Sequence, residues 1–438
     1  MYTARRLGRL LRRAEATVTV VDPLTRRTSV DVMRQPPGAE DSPLPASSGA
    51  LPPHGRQADI GGVIIAPDKF KGSLTAPDVA VHLARGLAAA VPGVRTEEIP
   101  VADGGDGTVD AAVAAGYRRV ERRVSGPTGE PVTAAFALSG PGDVAVVEAA
   151  QACGLSRLPG GRLRPLTATS YGVGELIAAA VDAGARQIVL GLGGSATTDG
   201  GAGLIAALGA RLRAASGAPV PPGGAALASL GTLDLSGLGD LSGVAVLLAS
   251  DVDNPLLGPD GAAAVYGPQK GASAADIRVL EDGLARWADA AEAALGRSVR
   301  DRAGAGAAGG LGFAALAFLG ARMRPGIEVV LDLVSFRERV AGASLVITGE
   351  GSLDAQTLRG KAPAGVAAAA RAATPGTPVV AVAGSCSLDE ESLAGAGLAG
   401  AYALTSLEPD VRASMANAGP LLEKLAAQVA ADWLPSAR

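Results

Sequence analysis

The 438-residue chain contains 48% hydrophobic residues, has a mean hydropathy of +0.27 and carries a formal net charge of −4. No charge-free apolar run approaches the roughly 20 residues that span a bilayer, and the main body holds no long basic block, so we expect neither a membrane nor a nucleic-acid partner. Cys153 and Cys386 lie far apart without a neighbouring Cys or His, which argues against a disulfide framework or a zinc site and favours a reducing, cytoplasmic location.

Residues 1–61 differ in composition from the rest of the chain. A basic stretch at residues 5–13 precedes a segment at residues 35–58 that carries six prolines among Ser, Gly and Ala. Such a segment lacks the apolar side chains of a packed core and is typical of a linker. We interpret residues 1–61 as a dispensable extension and linker. A transit peptide, a membrane-surface helix and an RNA-binding arm are the alternatives.

The folded sequence begins with a strand, a polar loop and a helix. The strand is predicted at residues 63–66 and the helix at residues 76–90, with Thr75 as its N-cap and Pro77 in its first turn. Ligands of open α/β sheets bind in loops at the carboxyl ends of strands. The candidate site residues of this loop are therefore Asp68, Lys69, Lys71 and Ser73.

Acidic residues follow three other predicted strands, which lie near residues 96–101, 245–249 and 344–347. Carboxylates beside flexible glycines are suitable oxygen ligands for a hard cation. An N-cap role is the alternative for the first of these acids. The acidic residues in question are Asp103, Asp106, Asp251 and Glu350.

The most distinctive stretch is a glycine-rich loop at residues 191–203, between an apolar strand and a helix. Glycines let a ligand approach the main chain, and a helix N-terminus offers unpaired N–H groups, so the loop suits an anion. Asp199 is its only ionisable side chain. The other candidates in the loop are Gly193, Gly194, Ser195, Thr197, Gly200 and Gly201.

Two later motifs complete the set of candidate site residues. A turn at residues 267–271 presents Lys270, and a second glycine cluster at residues 304–312 contains G-x-G-x-x-G spacing. No clear strand precedes that cluster, so a dinucleotide-binding motif lacks its required context, and no P-loop sequence occurs. The cluster contributes Gly306, Gly309 and Gly310, with close helix packing as the alternative to ligand binding.

The pattern predicts an α/β protein with two lobes. Residues 118–148 alternate apolar and polar side chains between Gly-Pro turns, which is typical of antiparallel strands inserted into a parallel α/β sheet. We therefore expect one parallel-sheet lobe, discontinuous in sequence, at residues 62–122 and 310–438. The inserted second α/β lobe is expected at residues 123–309. The sequence carries no signal of oligomeric state.

Six motifs, taken in order, resemble the bacterial type-1 glycerate kinases over about residues 62–435. The motifs lie at residues 65–74, 100–108, 191–203, 267–272, 304–312 and 346–351. The resemblance implies a flavodoxin-like lobe interrupted by a second lobe. It also implies ATP-dependent phosphorylation of D-glycerate with Mg²⁺, usually at the 2-hydroxyl to give 2-phosphoglycerate. Departures from the family pattern are the first 60 residues, Thr198 where Asn is common, and Asp253 where Thr is common.

Phosphoryl transfer needs charge neutralisation, positioning and a proton acceptor. We hypothesise that Asp199 deprotonates the glycerate hydroxyl, with magnesium binding or helix capping as the rival role, and that Lys69 is the second catalytic group. The expected substrate-binding residues are Asp68, Lys71, Ser73, Ser195, Thr197 and Lys270. The expected nucleotide-binding residues are Gly193, Gly194, Gly200, Gly201, Gly306, Gly309, Gly310 and Glu350, and the expected metal ligands are Asp103, Asp106 and Asp251. A kinase for another small hydroxy acid and a non-catalytic ligand-binding sensor are the alternative functions.

Overall fold

A computed structural model of the chain describes residues 62–434, so the predicted extension and linker at residues 1–61 lie outside the described residues. The described part contains thirteen strands and fourteen α-helices. The strands are β1 (Val63–Pro67), β2 (Thr96–Glu98), β3 (Arg118–Ser125), β4 (Pro131–Leu138), β5 (Val144–Glu148), β6 (Gln187–Gly191), β7 (Arg211–Ala214), β8 (Leu230–Asp234), β9 (Ala245–Ala249), β10 (Arg322–Arg324), β11 (Leu345–Leu353), β12 (Val379–Cys386) and β13 (Gly400–Ala403). The helices are α1 (Ala76–Ala90), α2 (Thr108–Ala114), α3 (Ala149–Cys153), α4 (Tyr171–Asp182), α5 (Ala202–Ala207), α6 (Ala262–Tyr266), α7 (Ala274–Leu295), α8 (Ala307–Phe318), α9 (Gly326–Leu333), α10 (Phe336–Arg339), α11 (Ala362–Ala373), α12 (Glu390–Gly395), α13 (Val411–Ala416) and α14 (Ala418–Trp433).

The first sheet is wholly parallel and contains five strands in the order β13-β12-β11-β1-β2. Numbered within the sheet, this is the order 2-1-3-4-5 of flavodoxin-like folds. Its central strands are apolar on both faces because helices cover both sides, as expected for a buried parallel sheet. The strand order reverses between β1 and β11, which is the position where such sheets bind ligands.

Helix α1 shows how local sequence defines an element of this sheet. Thr75 is its N-cap and forms a capping box with Asp78, and a proline occupies the first turn, which confirms the predicted start. Leu83 and Leu87 are fully buried on the face that packs against α14 and the sheet. Spacing at i and i+4 places both on one side of the helix.

The second sheet contains six strands in the order β10-β9-β6-β5-β4-β3. Strands β3, β4 and β5 pair antiparallel, as the alternating pattern predicts, whereas β5, β6, β9 and β10 pair parallel. The sheet begins at Arg118 and ends at Arg324. Helix α8 is apolar all round and is buried within the core of this second sheet.

Two helices lie between the sheets. Val109 and Ala112 of α2 and Val329 of α9 pack against Val146 and Val189 of the second sheet. These contacts bring the loop between β2 and α2 against the loop after β6. Among residues 62–434, no helix is both long and apolar enough to cross a bilayer.

Candidate functional site

A cleft of 490 Å³ opens at the carboxyl ends of the strands of the first sheet and is closed on one side by loops of the second. Residues at or after the carboxyl ends of β1, β11, β12 and β13 line it, together with the loop after β2 and the loop after β6. Five carboxylates and three lysines face it. These are Asp68, Asp103, Asp106, Glu350 and Asp354, with Lys69, Lys71 and Lys361.

Asp68 and Lys69 follow directly after β1, at the point where the strand order reverses. The Asp68 Oδ1 atom accepts a hydrogen bond of 2.6 Å from the main-chain N–H of Lys69, and the Lys69 Nζ atom lies 3.6 Å from the same oxygen. Burial raises the pKa of Asp68 to about 7, and Asp103 and Glu350 add to the shift while Lys69 opposes it. Asp68 Oδ2 has no hydrogen-bond partner among residues 62–434. A carboxyl that titrates near neutrality therefore faces the cleft with one free oxygen.

Lys69 is held in place by main chain. Its Nζ atom donates a 2.6 Å hydrogen bond to the carbonyl of Asp106. Burial alone lowers the pKa of Lys69, but the carboxylates of Asp68, Asp103, Asp106 and Glu148 outweigh this and raise it. The side chain is thus a fixed ammonium at physiological pH.

The loop after β2 and the loop after β6 touch through main chain. A Cβ atom added at Gly193 would lie 2.6 Å from the Cα atom of Gly105, and one added at Gly191 would lie 2.7 Å from the carbonyl oxygen of Gly104. Only glycine fits at these positions. Neither Gly193 nor Gly194 donates its N–H to another described residue, and both are exposed in the cleft. The pair therefore offers the free main-chain donors expected of an anion-binding loop.

Asp103 and Asp106 lie on the loop that meets this glycine pair. The Asp103 Oδ1 atom accepts from the N–H of Gly105 at 3.2 Å, so Asp103 shapes its own loop, while the N-cap of α2 is Gly107. Both side chains reach the cleft.

Glu148 lies beneath this loop at the end of β5. Its Oε1 atom accepts a hydrogen bond from the N–H of Val109 in the first turn of α2, and its Oε2 atom is buried without a partner. Burial raises the pKa of Glu148 to about 7. The residue was not among the predicted site residues, although it follows a strand in the same way as Asp103.

Glu350 lies on β11, whose strand continues beyond the predicted end at residue 347. It accepts a hydrogen bond from the Thr357 hydroxyl and lies 3.9 Å from the Nζ atom of Lys361. Burial raises the pKa of Glu350. The structure therefore adds Lys361 to the cations of the cleft.

Lys71 and Ser73 lie on the lip of the cleft. Lys71 is exposed and has no hydrogen-bond or ion-pair partner within residues 62–434, so its charge is free for a ligand. Ser73 donates its hydroxyl to the carbonyl of Met415 at 2.7 Å, which ties this loop to helix α13.

Asp199 does not line this cleft. It is 1% exposed and follows β6 of the second sheet, where its carboxylate accepts hydrogen bonds from the N–H and hydroxyl of Ser170 and from the N–H groups of Gly201 and Gly203. Burial raises the pKa of Asp199, although these hydrogen bonds act to lower it. The geometry is that of an anchor joining the starts of α4 and α5.

Ser195, Thr197 and Lys270 are also buried away from the cleft. The Nζ atom of Lys270 donates to the Ser195 hydroxyl at 3.2 Å and to the Thr197 carbonyl at 2.6 Å. Lys270 is 2% exposed, and burial lowers its pKa to about 8. Lys270 thus holds the segment directly after Gly194 and does not reach the cleft itself.

The remaining glycines pack one buried loop against another. Gly200 donates its N–H to the carbonyl of Gly309 at 3.0 Å, and a Cβ atom at Gly310 would lie 2.7 Å from the Cα atom of Gly200. Gly201 and Gly306 are buried in the same way, against Ala314 and the carbonyl of Pro255. These contacts favour the alternative of close packing for this part of the second glycine cluster.

Asp251 belongs to a different cavity. Its Oδ1 atom accepts from the N–H of Gly326 at 3.0 Å at the start of α9, and its neighbours are Asp253, Arg324 and Leu331. The strand-end pattern places it after β9, but the loop after β9 is bound to the start of α9 and lines this second cavity.

The structure therefore brings the following predicted site residues to one cleft: Asp68, Lys69, Lys71, Ser73, Asp103, Asp106, Gly193, Gly194 and Glu350. It adds others, of which Ser352, Asp354, Lys361, Ser385, Thr405 and Ser414 carry polar side chains. The first four lie at or after the carboxyl ends of β11 and β12, so the rule that found Asp68 was sufficient to find them, whereas Thr405 and Ser414 follow β13.

Comparison with known proteins gives a consistent result. Residues 63–434 match the model of the glycerate kinase family. Glycerate kinase of Bacillus subtilis (strain 168) is 47% identical over 84% of this chain and 97% of its own length. Glycerate 2-kinase of Escherichia coli (strain K12) is 45% identical over 75% of this chain and 86% of its own. A crystal structure of a protein from Salmonella typhimurium LT2, provisionally named glycerate kinase 2, superposes with a TM-score of 0.72 at 43% identity and covers 85% of this chain and 99% of that one.

Proposed function

This chain belongs to the glycerate kinase family and is a kinase, and from that premise we propose that it transfers the γ-phosphoryl group of ATP to D-glycerate to give 2-phosphoglycerate. The observation that carries the proposal is the convergence of Lys69, Asp68 and the free N–H groups of Gly193 and Gly194 in one cleft. Phosphoryl transfer needs positioned positive charge and a proton acceptor, and these residues supply both.

The cations hold the anionic substrates. Lys69 is fixed by the Asp106 carbonyl, so its remaining Nζ–H groups are aimed without a further loss of side-chain entropy when they donate to a phosphoryl oxygen. Gly193 and Gly194 donate their main-chain N–H groups to oxygens of the same phosphoryl group. Lys71 and Lys361 are the additional point charges for the glycerate carboxylate and the nucleotide phosphates.

Asp68 is the proton acceptor in this proposal, in place of Asp199. Its Oδ2 atom faces the cleft unpaired, and its pKa of about 7 is matched to a general base at neutral pH. Asp199 has neither property, because its carboxylate is enclosed by four donors and lies outside the cleft lining. The base takes the proton of the 2-hydroxyl of glycerate as that oxygen bonds to the γ-phosphorus, while the bond from this phosphorus to the bridging oxygen breaks and ADP leaves with that oxygen.

The donor set fits Mg²⁺ as part of the substrate complex. The acids of the cleft outnumber its lysines by five to three, and within residues 62–434 no three His, Cys, Asp or Glu side chains converge into a ready-made metal site. Mg²⁺ takes one or two carboxylates and completes its shell with phosphate oxygens and water. Asp103 and Asp106 would hold it, and when bound it neutralises phosphate charge. We place the enzyme in the cytoplasm, in keeping with its two unpaired cysteines.

A coupled assay of ADP release with ATP, Mg²⁺ and D-glycerate tests the proposal, with the product identified as 2- or 3-phosphoglycerate by NMR. We expect 2-phosphoglycerate from the wild type and loss of turnover in Lys69→Met. Formation of 3-phosphoglycerate would refute the regiochemistry, and turnover only with another hydroxy acid would refute the substrate. Nucleotide binding without ADP release across a panel of hydroxy acids would identify a sensor.

A further inference from the structure

One wall of the cleft is apolar, which phosphoryl transfer alone does not need. The segment after β13, at residues 404–418, contributes apolar side chains to its wall. These are Leu404, Val411, Met415 and Ala418, beside Phe70 of the loop after β1. The cleft is therefore charged where the two sheets meet and apolar along this segment.

Two of these side chains are exposed to an unusual degree. Val411 is 58% exposed and Met415 is 42% exposed, although both are large and apolar. Single exposed hydrophobic residues need no explanation, but a pair on one turn of a short helix, facing a polar ligand cleft, leaves apolar surface that a ligand would cover. The Cε atom of Met415 lies 3.2 Å from the position that a Cβ atom at Gly72 would occupy, so the methionine stands at the lip.

The cleft runs along the carboxyl edge of the first sheet from β1 across β11 and β12 to β13. It therefore crosses the three spacings between these four neighbouring strands. At about 4.8 Å for each interval this is roughly 14 Å. An elongated ligand with an anionic end and an apolar end matches both the length and the change of character. Small glycerate does not extend over it.

We infer that the apolar wall formed by Leu404, Val411, Met415 and Ala418 binds the purine ring of the nucleoside triphosphate. The inference rests on the proposed function for the direction of the triphosphate, which points to Lys69 and Gly193. Methionine sulfur packs favourably on aromatic rings, and flat heterocycles are bound by apolar walls with a few polar groups at their edge. The side chains of Ser385, Thr405 and Ser414 bring hydroxyl groups to this wall.

Calorimetric titration of the full chain with two probes, ATP and inorganic tripolyphosphate, tests the inference. The variants are Val411→Asn and Met415→Gln, which remove apolar surface without adding charge. The control is Val279→Asn, at a valine that is 42% exposed on α7 outside the cleft. We expect the Kd for ATP to rise roughly tenfold in the double variant, with the Kd for tripolyphosphate unchanged within about twofold.

An unchanged Kd for ATP in the double variant would overturn the inference, as would an equal loss of affinity for ATP and for tripolyphosphate. An equal loss of affinity for ATP in Val279→Asn would do the same, because it would show a general effect of the substitution. Wild-type binding of ATP that depends on Val411 and Met415, without any phosphoglycerate formed, would refute the proposed function and leave the purine site standing. Normal turnover with an unchanged KM for ATP in the double variant would refute the purine site alone.

Discussion

Asp199→Asn distinguishes the role that the sequence predicts for Asp199 from the one that its surroundings support. The Oδ2 atom accepts from Ser170 N at 2.8 Å, Ser170 Oγ at 2.9 Å and Gly203 N at 3.3 Å, and the Oδ1 atom accepts from Gly201 N at 3.1 Å. An asparagine oriented to keep its oxygen toward Ser170 places its amide NH₂ against the N–H of Gly201. One buried donor then loses its acceptor and the other three bonds lose their charge.

The magnitude follows from these bonds. An unsatisfied buried N–H costs about 1–3 kcal/mol, and a hydrogen bond to a charged group exceeds a neutral one by roughly 1 kcal/mol. Relief of the buried charge offsets part of this loss, since burial disfavours the ionised form of Asp199. We therefore expect Asp199→Asn to lower the free energy of unfolding by about 2–4 kcal/mol, while kcat stays within about threefold of wild type.

Urea unfolding followed by circular dichroism measures the stability, and the coupled ADP assay measures kcat below the unfolding transition. Asp68→Asn is the matched variant, because it removes one charge of the same type from the cleft. For a general base, kcat should fall roughly 10²–10⁴-fold. A stable Asp199→Asn protein with kcat reduced 100-fold, beside an active Asp68→Asn, would show that the assignment of the two aspartates is reversed.

Three other predictions follow from the site. Because burial raises the pKa of Asp68 to about 7 from 3.8, kcat/KM should fall as pH drops below about 7. The folded state binds that proton more tightly, so this contribution to stability is lost as pH rises through 7, and Asp68→Asn should unfold at higher urea than wild type at pH 8. Gly193→Ala should lower kcat/KM at least tenfold, because its Cβ meets the Gly105 main chain, whereas Gly140→Ala, with open space at its Cβ, should behave as wild type in the same assay. Burial lowers the pKa of Lys270 to about 8 from 10.5, so wild-type stability should rise between pH 8 and 10 relative to Lys270→Met in urea melts, and parallel curves would contradict this.

Local features of the fold were predictable because their causes lie within a few residues. The capping box of Thr75 and Asp78 defines the start of α1, and the uninterrupted apolar run at Ala245–Ala249 defines β9. Alternation of apolar and polar residues predicted the antiparallel pairing of β3 with β4. Each of these signals is contained in one element or one hairpin.

The sheet to which a strand belongs was not predictable in the same way. Asp68 and Asp251 follow strands of similar sequence character, yet β1 lies in the first sheet and β9 in the second, and Asp68 lines the cleft whereas Asp251 lines a separate cavity. The edge strand β13 has only 4 residues, which is too short for a clear strand pattern. Its loop therefore gave no signal, although Leu404 and Thr405 line the cleft.

The surroundings of Asp199 depend on residues distant in sequence. Ser170 is 29 residues away, and the contacts of the neighbouring Gly200 with Trp287 and Gly309 span 87 and 109 positions. A glycine-rich loop with one acid looks the same in sequence whether its acid faces a ligand or a helix N-terminus. Burial distinguishes the two cases: Gly193 and Gly194 are exposed, and the run from Ser195 to Gly201 is buried.

The contact between Gly104–Gly105 and Gly191–Gly193 joins a loop of the first sheet to a loop of the second through main-chain atoms. Main chain lies on main chain there, so no side-chain rotamer is available to absorb a sliding movement of one sheet past the other. The contact therefore fixes the separation between the glycine pair and the loop of Asp106, whose carbonyl oxygen holds the Lys69 side chain.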